Sequence, residues 1–166
     1  MFLFSATGVR GQRAQLDFFL AHCLTSIHAT YNLLPHFTPV QAESLLRYHF
    51  SMTLVCYVAC GSHAVQIDTV VNYEPKKKTT PSSENPWLDV IHHAILVMKN
   101  PHYIKVVRAL ALGQVVYGGP TKDKSDGYDY WLKAAHISLD VAENSSDQHG
   151  WSFSGIGFEE TWETCK

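Results

Sequence analysis

The sequence predicts an all-α fold, an irregular helical bundle closed by an extended aromatic C-terminal tail. Three observations support this. Apolar residues recur at three- and four-residue spacing through most of the chain. A capping residue followed by proline opens a helix at three separate places. Runs that alternate as a strand would are nearly absent. The 166 residues are 46% apolar and 17% charged, enough hydrophobe for one core in the length of one domain. Residues 1–166 are therefore read as a single helical domain.

In chain order, Leu16, Phe19, Cys23, Ile27 and Leu34 predict a first helix from about Ala14 to Leu34, ended by Pro35. Thr38-Pro39 with Gln41 is a helix start with a mechanism: a hydroxyl cap, a proline at the first helical position, and a glutamine placed to complete a capping box. That second helix runs to about Cys60, where Gly61 supplies a left-handed cap. Val65 to Val71 fits either a short strand or a helical turn. Residues 75–85, PKKKTTPSSEN, form a polar loop whose lysine run is a solvated face. Asn85-Pro86 and Asn100-Pro101 repeat the cap-and-proline signal. They predict helices from about Pro86 to Lys99 and from Pro101 to Val116, bent apart at Asn100. Gly118-Gly119-Pro120 stops the latter, and Asp123 to Gly127 is turn-rich. A last helix covers about Tyr128 to Ala142, with Trp131, Ala135, Leu139 and Ala142 on one face. Trp151 to Trp162 then packs over the bundle.

Thirteen Lys+Arg against fifteen Asp+Glu give a formal charge of -2, without the basic excess that nucleic-acid binding needs. The start, MFLFSATGVRGQR, has its apolar stretch before its basic residues, the reverse of a secretory signal. His22, Arg47, His49 and Lys105 interrupt every candidate for the roughly 18 apolar residues of a membrane span. Cys23, Cys56, Cys60 and Cys165 include no CxxC pair, and Cys56 and Cys60, four apart on one helix face, read as buried thiols. The expectation is a cytoplasmic, reduced protein that meets neither nucleic acid nor membrane.

Several chemistries have nothing to rest on. Gly155 and Gly157 make a GxG, but Glu160 stands where the third glycine of a dinucleotide fingerprint belongs, and there is no P-loop, GxSxG elbow or HExxH helix. The ten histidines keep metal binding open. His102 and Lys105, spaced i, i+3, share one face near the positive end of a helix dipole, which disfavours their protonated forms. A neutral imidazole ligates metals, and an unprotonated lysine amine can add carbon dioxide to give an anionic carbamate. Spacing alone favours the plainer pair, a helix-start histidine beside a snorkelling lysine.

His22, flanked by Phe18, Phe19, Leu20 and Cys23, reads as at least partly buried, with Ser26 as its local partner. A satisfied core histidine is the plainer reading there too. His28 is expected on the opposite side of that helix, unable to share a metal with His22. His92 and His93 point in different directions, His136 sits at an inner rim, and His36, His49, His63 and His149 read as loop or boundary residues.

Five segments then appear in a telling order: DFFLAHCLTSIHA (17–29), the helix ending in LVCYVAC, NPHYIKVVRALALG (100–113), WLKAAHISLD (131–140) and GFEETW (157–162). Together, from about residue 14 on, they resemble the C-terminal part of the questin oxidase-like family of fungal secondary metabolism. The resemblance implies an all-helical oxidoreductase that cleaves rings of anthraquinone-type polyketides by a Baeyer-Villiger-like oxygen insertion. Its reactants would be an aromatic polyketide and molecular oxygen, with NADPH described for some members. It further implies non-haem iron held by several histidines and a carboxylated lysine. His22 of FFLAH and Lys105 of HYIKVVRAL are the positions carried over as iron ligands, with His102 as a third. Phe18, Phe19 and Tyr103 are expected to line a flat pocket. Family enzymes are more than twice this length and begin with a histidine-rich helical motif that this chain lacks. The alternative is an inactive helical module packed against a second chain that supplies that N-terminal half.

Overall fold

The computed structural model describes residues 1–10, 13–76, 84–98, 100–118, 130–144 and 150–163. Over these residues the chain is mostly helical, with a few two-residue strands that the sequence pattern did not signal. The centre of the 75–85 loop, Lys99, Gly119-Pro120, the Asp123–Gly127 turn, His149 and Cys165 lie outside the described residues.

The chain begins with α1 (Phe2–Ser5), β1 (Val9–Arg10), β2 (Arg13–Ala14) and β3 (Leu16–Asp17), and Phe4 and Ala6 are already in the core. Helix α2 (Phe18–Leu33) starts at Phe18 rather than Ala14, because residues before it pair as strands and Asp17 is the cap. Asp17 is extended, and its carboxylate accepts from Phe19 N and Leu20 N. Helix α3 (Pro39–Ala59) opens on the complete Thr38–Gln41 capping box. It ends at Gly61, whose φ is +93°, the left-handed conformation glycine adopts without a Cβ clash. Gly157 packs backbone to backbone on this turn, its N–H donating to Cys60 O at 2.7 Å. A Cβ on Gly157 would come within 2.4 Å of the Gly61 backbone.

The ambiguous stretch after Gly61 is helical, α4 (Ile67–Val71). Helix α5 (Pro86–His92), capped by Asn85, runs on into a wider π-helical turn at His93–Met98. Asn100 is extended and caps α6 (Pro101–Tyr117), so the chain bends where expected. Helix α6 buries Tyr103, Val106, Val107, Ala109, Leu110 and Gly113 and packs against α2, α5 and α7 (Tyr130–Asn144). Trp131 of α7 lies on Gly113, where an added Cβ would meet the indole ring at 2.2 Å. Tyr73, just past α4, ties the fold together by donating its phenol O–H to the Asp140 carboxylate of α7, and burial with that charge pushes the phenol's pKa up.

The tail is only partly extended. β4 (Trp151–Ser152) pairs in parallel with β3, Leu16 opposite Trp151 and Asp17 opposite Ser152, and α8 (Glu159–Glu163) follows. Arg10, from the antiparallel β1–β2 pair, donates to Ile156 O at 3.4 Å. It also pairs with Glu159 at 2.8 Å and lies over the Trp162 ring. These contacts clamp the tail to the start of the chain. No helix among the described residues is long and apolar enough to cross a membrane.

Candidate functional site

A cavity of about 370 Å³ opens between α2, α3 and α6. Helix α2 contributes His22, Cys23, Ser26 and His28, α3 contributes His49, Met52 and Cys56, and α6 contributes Lys105 and Arg108. Five of these side chains are basic, and among the described residues no Asp or Glu lines the space. The helical repeat explains the grouping: Lys105 and Arg108 are one turn apart on α6. On α3 the half-buried positions Ala42, Leu45, His49, Thr53 and Cys56 form the stripe facing α2.

The imidazoles are oriented by fixed acceptors. His22 Nδ1 lies 2.8 Å from Phe18 O. A carbonyl oxygen only accepts, so Nδ1 carries the proton and Nε2 the lone pair. His49 Nε2 lies 2.9 Å from Ser26 Oγ and 3.1 Å from Cys23 O, which places its proton on Nε2 and its lone pair on Nδ1. His102 turns Nδ1 to Asn100 Oδ1 at 3.3 Å. That oxygen also caps the helix by accepting His102 N at 2.9 Å. A ring nitrogen donating to a carbonyl while the other keeps a lone pair is the arrangement that orients metal-binding histidines.

The structure brings the three sequence-derived ligand positions into one neighbourhood. His22 and Lys105 line the same cavity, and the His22 and His102 rings are 5.6 Å apart between centroids. Phe18 lies against both, 4.3 Å from His22 and 5.2 Å from His102, and packs in turn on Phe153 at 4.6 Å. The donor types, two imidazoles and an amine that a carbamate would convert to a hard oxygen donor, suit iron. Yet among the described residues no three His, Cys, Asp or Glu side chains gather closely enough to hold a metal ion.

The thiols are poor ligands and nucleophiles as they stand. Burial, then the hydrogen bond and charge of Cys56, push the Cys23 thiol up to about 11. Burial, then Asp17, push Cys60 up to about 12. Both stay protonated at neutral pH, whereas reactivity and metal binding need the thiolate. Burial and the neighbouring Arg108 guanidinium lower the His28 pKa, which leaves that ring neutral.

Several expectations change. His22 is exposed rather than partly buried, because α2 turns Leu20, Ala21 and Leu24 inward and His22 toward the open cavity. Its partner is Phe18 O, one turn back, while Ser26 serves His49. His28 lines the same cavity as His22, since six residues rotate a helix about 240° rather than half a turn. Phe19 does line the cavity, but Tyr103 is fully buried and stacked on Trp151 at 4.5 Å. His49, read as a boundary residue, sits mid-helix in the cavity wall. Its place in the 42, 45, 49, 53, 56 stripe was the signal, as the i, i+3 spacing from Lys105 was for Arg108.

The family model described as questin oxidase-like matches residues 1–110, starting ahead of residue 14. Questin oxidase of Aspergillus terreus is 28% identical over 167 aligned residues, covering 97% of this chain and 36% of that protein. Baeyer-Villiger oxidase ptaJ of Pestalotiopsis fici is 26% identical, covering 92% of this chain and 35% of its own length. Oxidoreductase AflY of Aspergillus parasiticus is 28% identical, covering 80% of this chain and 26% of its own length. The chain thus spans about a third or less of the curated relatives it matches. No solved structure matches it.

Proposed function

The chain belongs to the questin oxidase-like family, and from that premise we propose that it forms part of an oxidoreductase that cleaves aromatic polyketide rings of the anthraquinone type. The observation that carries this reading is that His22 and Lys105 line one cavity rich in basic side chains, with the His102 ring 5.6 Å from that of His22. On this reading His22, His102 and a carbamate of Lys105 would hold non-haem iron, completed by donors from the part of the family's length that this chain does not span. When bound, the iron supplies a centre for activating molecular oxygen.

This chain's own residues do the rest. Phe18 O fixes the His22 tautomer, and Asn100 holds the His102 ring. Arg108 and His28 face the substrate from the same wall, and the guanidinium suits a phenolate or carboxylate oxygen. Phe19 and Met52 give the flat ring apolar contact.

The stoichiometry of the reaction decides whether NADPH takes part. Insertion of one oxygen atom sends the other to water and consumes two electrons, which NADPH would supply. Incorporation of both atoms consumes none.

The test is anaerobic incubation of the iron-loaded protein, assembled with the remainder of the family chain, with an anthraquinone, then restarted with ¹⁸O₂. Ring-opened product carrying ¹⁸O, lost in His22→Ala and Lys105→Ala, supports the reading. Turnover that is equal in wild type and both variants removes these residues from the reaction.

A further inference from the structure

Helix α3 is the least covered long element of the chain. None of its 21 residues is buried. One stripe leans on α2, and the remainder faces outward with Tyr48 76%, Phe50 63%, Val55 62% and Val58 64% exposed. Its charged residues, Glu43 and Arg47, pair with each other at 2.7 Å near its start, and from Tyr48 to Ala59 no Asp, Glu, Lys or Arg occurs. Most of the outward residues from Tyr48 on are apolar, and exposed apolar surface of this kind marks an interface.

The length of the relatives indicates what covers it. Aspergillus terreus questin oxidase aligns with 97% of this chain through only 36% of its own residues, so most of that enzyme's length lies outside the span these 166 residues match. We propose that the outer face of α3 is covered by polypeptide homologous to that unspanned portion, which also closes the cavity wall at Met52, 61% exposed. The proposal rests on family membership and on the exposure of α3, and it stands whether or not iron binds at His22.

The test co-expresses the 166-residue chain with a tagged fragment of the Aspergillus terreus enzyme lacking its aligned third. Equimolar capture is expected. Tyr48→Glu/Val55→Glu, both exposed in the isolated chain, should abolish capture without changing the chain's circular dichroism, and His22→Ala should leave it intact. Failure of capture, capture indifferent to the α3 substitutions, or an α3-dependent dimer of the chain that the fragment does not displace each overturns the proposal. A second arm replaces the aligned third of the fungal enzyme with this chain. A soluble monomer that aggregates on Tyr48→Glu/Val55→Glu is expected, and a chimera indifferent to those substitutions overturns the proposal.

Discussion

Arg108 lines the cavity, where no Asp or Glu occurs among the described residues, and its charge is felt at His28. If it receives an anionic oxygen of the substrate, Arg108→Gln should raise KM about tenfold, roughly 1.4 kcal/mol, with a much smaller change in kcat. Steady-state kinetics against pH checks this. The cysteines give a second residue-scale expectation. A thiol with its folded pKa raised holds more protons when folded than when unfolded. Its contribution is therefore intact below about pH 8.5, the unfolded thiol's range, and is lost as the pH climbs toward 11 and 12. The thermal midpoint should stay level from pH 7 to 8.5 and fall above pH 9. In Cys23→Ala and Cys60→Ala the fall should be shallower. A decline equally steep in both variants would locate the titration elsewhere.

Among the elements, α3 fully buries none of its residues, so its N-terminal cap should matter to its stability. Thr38→Ala removes the hydroxyl that accepts Gln41 N and should cost about 1 kcal/mol, read as a lower urea midpoint with unchanged slope. Gly157→Ala should cost more, because its methyl would be driven into the Gly61 backbone, and neither backbone can move without opening the contact between α3 and the tail. The caps and prolines that set these boundaries were legible because each acts within four residues. Asp17 was not read as a cap because the helical periodicity was extended back to Ala14, over residues that pair with a strand 135 residues along the chain. The two-residue strands left no periodicity to find. His22, His102 and Lys105 came from motif order, whereas their convergence depends on α6 packing against α2, which no local pattern states.

At the scale of the molecule, the first residues and the tail lock together through Arg10 and Arg13, and α6 with α7 forms the densest part of the core. The outer face of α3 and the cavity stay open. Fully burying a large apolar side chain contributes roughly 1.5–3 kcal/mol, so several residues of α3 represent stabilisation that this chain does not collect by itself. The isolated chain should therefore bind a hydrophobic dye strongly and melt at a lower temperature than the assembled complex. Equal melting of the two would contradict the open-face account. On the proposed reading, the polypeptide that covers α3 would also supply the remaining iron donors. The most direct test is iron content per chain in the assembled complex, for wild type, His22→Ala, His102→Ala and Lys105→Ala, each purified anaerobically in bicarbonate buffer. One iron per wild-type complex, falling severalfold in each variant while assembly persists, is the expected result. Equal iron in all four proteins would contradict the assignment of these residues.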